Sequence, residues 1–442
     1  MKQYNQFVDS LNSLFSHAKY DSISCRDEIQ SATNGLAKSE LYRLVPIRTR
    51  RKYGAFFTDE ATAKLAAKFL KREIEQEATI CDPACGAGDL LLACTDYMRP
   101  ARDLRSTLRI WGRHLIGWDL HQAFVDACRL RLALKCIERS QSRLKFTATD
   151  PEIFERIGIQ DGLLPCPMLQ EVDAVIMNPP FTTTRAPNDI QWGHGGVSAS
   201  ALFVDKVLGQ VSPGTKLVAI LPDVLRSGTS YSQWRKQMSQ VADINHIVTL
   251  QQFDPSTDVH VFILVATKKN SKGRAVSKSC WLSGNQSRLL EGSNDKHTVG
   301  SLFNVSVGPV VEYREPNLGA WLPYLTARGL PAWTNVEGRG LKKRRFRGRK
   351  TKAPFVVVRR TSRPEDQHRA IATVICGHDK YAVENHLMIF EPKDGKLDTC
   401  QSLLDILKHP ETSEFLNRVI RCRHLTVSAV ESIPWIPLRE QQ

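Results

Sequence analysis

The tetrapeptide best equipped for chemistry is Asn178-Pro179-Pro180-Phe181. It follows Val172-Asp173-Ala174-Val175-Ile176-Met177, an apolar run with one aspartate at its mouth, which reads as a short buried strand. Two prolines withdraw backbone donors and fix φ, so a strand ladder ends there. Asn178 precedes a proline and is driven out of the helical region. What remains is a rigid loop that presents an amide side chain, a free carbonyl at Pro179 and the flat ring of Phe181. Open α/β sheets place their ligands at the carboxyl ends of strands.

Three earlier strands end in aspartates, Asp82, Asp119 and Asp150. After Asp82 comes Pro83-Ala84-Cys85-Gly86-Ala87-Gly88-Asp89, then an apolar helix from Leu90. Glycines let the backbone pass close to a ligand, and a helix start offers unpaired N–H groups. The loop departs from G-x-G-x-x-G and has no Walker lysine, so with Asp82 and Asp89 it suits a cationic ligand better than a triphosphate. Asp119 closes a second strand, His114–Asp119, where α/β folds bind ribose hydroxyls. A third strand is expected over Leu144–Ala148, ending at Thr149-Asp150-Pro151.

The elements that position these residues follow from periodicity. Phe7, Leu11, Leu14 and Phe15 recur at helical spacing in a helical segment over residues 1–50, which closes on the basic cluster Arg48, Arg50, Arg51 and Lys52. Tyr53–Asp59 leads into a helix over Glu60–Leu70, with Thr58 or Asp59 as N-cap. Another helix spans Gln122–Arg139, with Phe124, Ala127, Leu130, Leu134 and Ile137 on one side. Residues 271–300 lose periodicity and read as a linker. Strands over Pro354–Arg360, Ala370–Cys376 and Ala382–Phe390, and helices over Gln401–Leu407 and Ser413–Val419, build a domain over 301–442. Arg339–Lys352 holds nine basic residues and no acid, so a phosphate-binding segment is expected there.

Composition agrees. A length of 442 residues suggests roughly two to three domains. A net charge of +15 points to a polyanion, nucleic acid before membrane. No apolar run is long enough for a transmembrane helix, and the first residues lack a signal-peptide core. The 11 cysteines include no C-x-x-C pair, so reduced cytoplasmic thiols and no metal site are expected.

Taken in order, residues 50–270 resemble the S-adenosylmethionine-dependent DNA amino-methyltransferases, specifically the N6-adenine enzymes of gamma motif order. The resemblance implies an α/β fold, a Rossmann-like class I methyltransferase sheet with helices on both faces, followed by an α+β target-recognition domain. It makes residues 51–270 the catalytic domain. It assigns cofactor binding to Phe57 and Thr58, to Asp82, Ala84, Gly86 and Gly88, to Asp119 at the ribose, to Asp150 at the adenine amino group, and to Asn178. Ala199–Val211 is similar to the helix after the catalytic loop, and Lys216–Pro222 to the fifth strand. Gln251–Pro255 and Val259–Ala266 resemble the late hairpin whose aromatic residue, here Phe253, stacks on the extruded base. Asn178, Pro179, Pro180, Phe181 and Phe253 are then catalytic, although Phe181 departs from the commoner tyrosine. Lys342, Lys343, Arg344, Arg345, Arg347 and Arg349 would contact duplex DNA.

The implied chemistry is methylation of an exocyclic amine whose lone pair is delocalised into the ring. Acceptors at Asn178 and Pro179 would favour a pyramidal, attacking nitrogen, and the proton leaves after attack without a general base. The resemblance also implies a prokaryotic, nucleoid-associated cytoplasmic monomer or dimer, with a cognate restriction endonuclease as partner. Ribosomal RNA guanine-N2, protein glutamine and DNA cytosine-N4 methylation use similar loops and stay open, as does a catalytically idle DNA-binding module.

Overall fold

The structure is a computed structural model that describes residues 2–140, 154–254, 257–271, 281, 298–377 and 379–435. The chain forms two compact units, residues 1–225 with 231–284, and residues 226–230 with 285–442. Among the described residues, no helix is long and apolar enough to cross a membrane.

The first unit begins with four helices, α1 (Asn5–Ala18), α2 (Arg26–Thr33), α3 (Leu36–Leu44) and α4 (Ile47–Tyr53). The chain then runs through α5 (Glu60–Lys68), α6 (Lys71–Glu75), β1 (Ile80–Asp82), α7 (Asp89–Thr95), α8 (Leu104–His114), β2 (Leu115–Asp119) and α9 (Gln122–Arg139). After these come β3 (Ile157–Ile159), β4 (Ala174–Met177), the short pair β5 (Thr183–Arg185) and β6 (Gly196–Ser198), and α10 (Ala199–Gln210). Strands β7 (Lys216–Pro222), β8 (Ala242–Asp254) and β9 (Thr257–Lys268) finish the unit. The sheet order is β3-β2-β1-β4-β7-β9-β8. The first five strands in this order are parallel; β9 runs antiparallel to β7, and β8, antiparallel to β9, takes the direction of the five again.

A parallel sheet covered on both faces needs apolar residues at every position, which explains the continuous apolar runs. In β4, Ala174 and Ile176 enter the core shared with α1–α3, α5 and α7–α9. Val175 and Met177 enter the opposite core, with Leu202 of α10 and with Trp234. The N-terminal helices therefore bury their apolar stripes in the same core as the sheet. The third strand is Ile157–Ile159, paired with β2. The stretch expected to form it, 144–148, lies outside the described residues, as does Asp150.

The second unit is α+β. Strands β10 (Phe303–Val307), β11 (Ala320–Leu325), β12 (Asn335–Val336), β13 (Lys343–Phe346), β14 (Thr351–Lys352), β15 (Phe355–Arg359), β16 (Ala372–Ile375), β17 (Lys380–Val383) and β18 (Leu387–Pro392) form two sheets. Their orders are β10-β18-β15-β16-β12 and β13-β11-β17-β14. Helices Leu397–Lys408, Pro410–Val419 and Val427–Glu431 share a core with the first of these sheets. Arg369, fully buried there, donates to the carbonyls of Ser362, Ile420 and Cys422.

Candidate functional site

The order of the seven-stranded sheet reverses at β1, which lies between β2 and β4. Cys81 pairs with Val175, so the carboxyl ends of β1 and β4 open side by side. That places Asp82 and Asn178 at a topological switch point, where doubly wound sheets bind ligands.

The glycine loop is laced onto β2. Cys85 N–H donates to the Trp118 carbonyl at 2.9 Å, and Gly86 N–H donates to Asp119 Oδ2 at 3.2 Å. Asp119 Oδ1 accepts from His121 N–H at 2.8 Å, and Asp82 Oδ1 accepts from Ala84 N–H at 3.0 Å. Gly86 and Gly88 have φ of +52° and +88°, a region that side chains rarely adopt. A Cβ on Gly86 would lie 2.9 Å from the Phe57 ring, and one on Gly88 would lie 2.6 Å from Cys128 Sγ. The tight glycines therefore fit the backbone between Phe57 and α9 before any ligand is considered. Burial pushes Asp82 up to about 8, the Ala84 N–H opposing and the nearby Asp119 adding. Burial also raises Asp119 to about 6, against the N–H groups of His121 and Gly86.

Tyr53–Asp59 packs against the Asn178–Phe181 loop. Asp59 caps α5 by accepting from Thr62 N–H at 2.9 Å. Phe57 packs edge-on against Phe124 and Tyr4, with ring centres 5.0 and 5.9 Å apart. Thr58 Oγ1 accepts from Asn178 Nδ2 at 2.9 Å. The opposite atom of that amide, Asn178 Oδ1, is buried and has no hydrogen-bond partner among the described residues. Gly54, at φ +64°, lies so close to the loop that a Cβ there would sit 2.5 Å from Pro180 Cβ. Ser200 Oγ donates to the Pro180 carbonyl at 2.9 Å, so the first turn of α10 also holds the loop.

Phe181 and Phe253 meet edge to face, with ring centres 5.2 Å apart and planes at 65°. The Lys38 ammonium of α3 lies 5.6 Å from the Phe253 ring centre. Beside Phe181 opens a groove of about 530 Å³, whose lining includes Arg51, Lys52, Gly54, Phe56 and Val259. The basic cluster is thus divided. Arg50 turns inward, its guanidinium 3.9 Å from the Tyr42 ring centre, while Arg51 and Lys52 line the groove.

Several of these residues were not singled out in the sequence. Arg131 is the clearest. It is 1% exposed, and it donates to Asp89 Oδ1 at 2.9 Å and to the carbonyls of Ala87 at 2.6 Å and Ala32 at 2.8 Å. It therefore ties α2 to the glycine loop. A signal did exist, since Arg131 interrupts the stripe of Phe124, Ala127 and Leu134 at helical spacing. The Thr58–Asn178 and Gly54–Pro180 contacts join residues more than 100 positions apart and had no local signal. Among the described residues, no cluster of three or more His, Cys, Asp or Glu is placed to hold a metal ion.

In the second unit the basic run becomes strand β13 and its flanks. Lys342, Lys343, Arg345, Arg347 and Arg349 are exposed. Arg349 pairs with Glu391. Arg344 turns to the other face, donates to the Glu315 carbonyl at 2.6 Å and lies 5.5 Å from the Tyr324 ring centre.

Comparison with solved structures finds distant resemblances. The type IIG restriction endonuclease BpuSI is 15% identical with a TM-score of 0.46, over 91% of this chain and 61% of that one. The type I restriction enzyme EcoKI M protein is 15% identical with a TM-score of 0.39, over 62% of this chain and 65% of that one. A type I restriction-modification methyltransferase subunit from Streptococcus thermophilus is 20% identical with a TM-score of 0.37, over 54% of this chain and 50% of that one. This chain thus spans less than two thirds of each of the three. In sequence, residues 46–297 match the family described as N-6 DNA Methylase, over both the glycine loop and the Asn178–Phe181 loop, and the chain belongs to that family.

Proposed function

We propose that the chain transfers a methyl group from S-adenosylmethionine to the N6 amine of an adenine extruded from duplex DNA. The observation that carries this reading is the Asn178 amide. Its Nδ2 is fixed by Thr58, and its buried Oδ1 has no partner among the described residues. A buried acceptor without a donor costs about 1–3 kcal/mol, and an incoming amine would relieve that cost. The Pro179 carbonyl offers a second acceptor, and together they would favour a pyramidal amine with an available lone pair.

The residues at the switch point fit the cofactor. When bound, it supplies an electrophilic methyl group on a positively charged sulfur. Phe57, Thr58, Gly86 and Gly88 would hold its methionine end, Asp119 suits ribose hydroxyls, and Asp82, which burial keeps protonated to about 8 in the ligand-free chain, would ionise against the bound cation. Asp150 is assigned to its adenine amino group by family resemblance.

Flipping a base out of the duplex costs a few kcal/mol. Stacking on an aromatic ring returns about 1–3 kcal/mol. With planes at 65°, Phe181 and Phe253 do not form a face-to-face clamp. A base would stack on one ring and meet the edge of the other. Arg51 and Lys52 on the groove wall suit the flanking phosphates. Protection of the methylated site from a cognate nuclease follows from the family resemblance alone.

The test supplies labelled cofactor with duplex DNA, single-stranded DNA and ribosomal RNA, and identifies the product base by mass spectrometry. N6-methyladenine in duplex DNA is expected. Asn178→Ala should keep cofactor and DNA binding and lose at least about 100-fold in methyl transfer. Methylated guanine in RNA, or methylated glutamine in protein, would overturn the reading.

A further inference from the structure

Three large apolar side chains stand exposed within a short stretch of the second unit, Tyr313 at 81%, Leu318 at 46% and Trp321 at 61%. Single exposed apolar residues are ordinary, but a cluster of them marks an interaction surface. This cluster adjoins the basic strand. In the β11–β13 pairing, Trp321 is opposite Arg345 and Pro323 is opposite Lys343. Directly opposed residues of an antiparallel pair share a face. The alternate pair, Leu322 and Arg344, faces the other way, where Leu322 joins Tyr324 and Phe346 in a small core. One face of this ribbon therefore collects Trp321, Arg345 and Lys343.

The arrangement is held in place. The Arg345 guanidinium lies 5.6 Å from the Trp321 ring centre, and Arg345 N–H donates to Asn317 Oδ1 at 2.9 Å. Gly319 has φ +106°, and a Cβ there would lie 2.7 Å from Arg347 Cγ. The preceding loop is thus pressed against the strand. Arg314 lies 5.3 Å from the Tyr313 ring centre, repeating the pairing of cation with aromatic.

Resting on the reading given above, we infer that Trp321 is a stacking contact of the second unit with duplex DNA, separate from the rings proposed for the extruded base, with Lys343 and Arg345 on the adjacent phosphates. Charge decides the class of partner. A protein-binding apolar patch need not be ringed by cations, whereas Lys343, Arg345 and Arg347 all stand exposed here. A flat ring backed by arginine can press on a base step or the sugar edge of a groove.

Charge and stacking separate by salt dependence. Trp321→Ala, Trp321→Phe and Arg345→Gln are titrated with a labelled duplex over a range of salt. Trp321→Ala should weaken binding about 10- to 100-fold and leave the slope of log affinity against log salt unchanged. Trp321→Phe should recover most of the loss. Arg345→Gln should reduce the slope by about 0.9. Cofactor affinity and melting temperature should not move, because Trp321 is mostly exposed. Wild-type affinity in Trp321→Ala, or a loss matched by a lower melting temperature, would overturn the inference alone. A wild-type chain without salt-dependent duplex binding would overturn the proposed function as well.

Discussion

Replacing Gly54 by alanine tests whether the Tyr53–Asp59 segment shapes the Asn178–Phe181 loop, proposed to be catalytic. At φ +64° an alanine carries a backbone strain of about 1–2 kcal/mol. The larger effect is steric. Its Cβ would lie 2.5 Å from Pro180 Cβ, where carbon atoms prefer about 3.5–4.0 Å. The loop must give by about 1 Å. Pro180 is held from the far side, because its carbonyl accepts from Ser200. The displacement therefore passes to Asn178 and Phe181. A misplacement of about 1 Å costs on the order of 100-fold in rate, about 2.7 kcal/mol of barrier. Gly214 is the control. Its φ is +89°, and nothing lies within 4 Å of a Cβ there. Gly214→Ala should cost about 1 kcal/mol of stability and leave turnover unchanged. The assay is single-turnover methyl transfer with saturating cofactor, beside thermal melting. Full turnover in folded Gly54→Ala would refute the reasoning. So would equal losses in both variants, since strain without contact would then explain them.

Two further predictions concern buried charge. Asp82 and Asp119 keep their protons to about 8 and about 6 in the folded chain, while an unfolded aspartate loses its proton near about 4. Unfolding therefore releases protons between about pH 4 and 8, and stability falls as pH rises through that window. Asp82→Asn should melt higher than wild type at pH 9 and equally at pH 4; parallel pH profiles would show that the carboxyl is not buried in this way. Arg131→Met should cost about 3–5 kcal/mol, since it strands Asp89 and two carbonyls, and should weaken cofactor binding by titration, with Arg131→Lys recovering part. Unchanged melting and unchanged affinity would remove Arg131 from the glycine loop's support.

Much of this was legible in the sequence because it is local. The apolar run before Asn178 had to be a buried strand, and two prolines had to end it. Asp82 and Asp119 fall at strand ends for the same reason. The expected hairpin forms as β8 and β9, and its Phe253 lies against Phe181. What escaped is contact between distant segments. Nothing local in Thr58 announces Asn178, and nothing in Gly54 announces Pro180. The basic run was read as a segment, although a strand has a period of two. Hence Arg344 leaves the face that carries Lys343 and Arg345. Arg131 escaped for a different reason. A charged residue on an apolar stripe is easily taken for the edge of that stripe, whereas here it lies at the centre.

The strand order also fixes when the site becomes complete during synthesis. Asp82, Asp119 and the glycine loop belong to β1 and β2, which pair with each other early in the chain. Phe253 lies on β8, whose only neighbour in the sheet among the described residues is β9. β9 in turn docks on β7 and is made after β8. A growing chain that has emitted β8 therefore has nowhere in the sheet to place it until residue 268 has followed. The glycine-loop half can form co-translationally well before the half that carries Phe253. For that interval the nascent chain can hold its glycine loop in place while the aromatic partner of Phe181 is still missing.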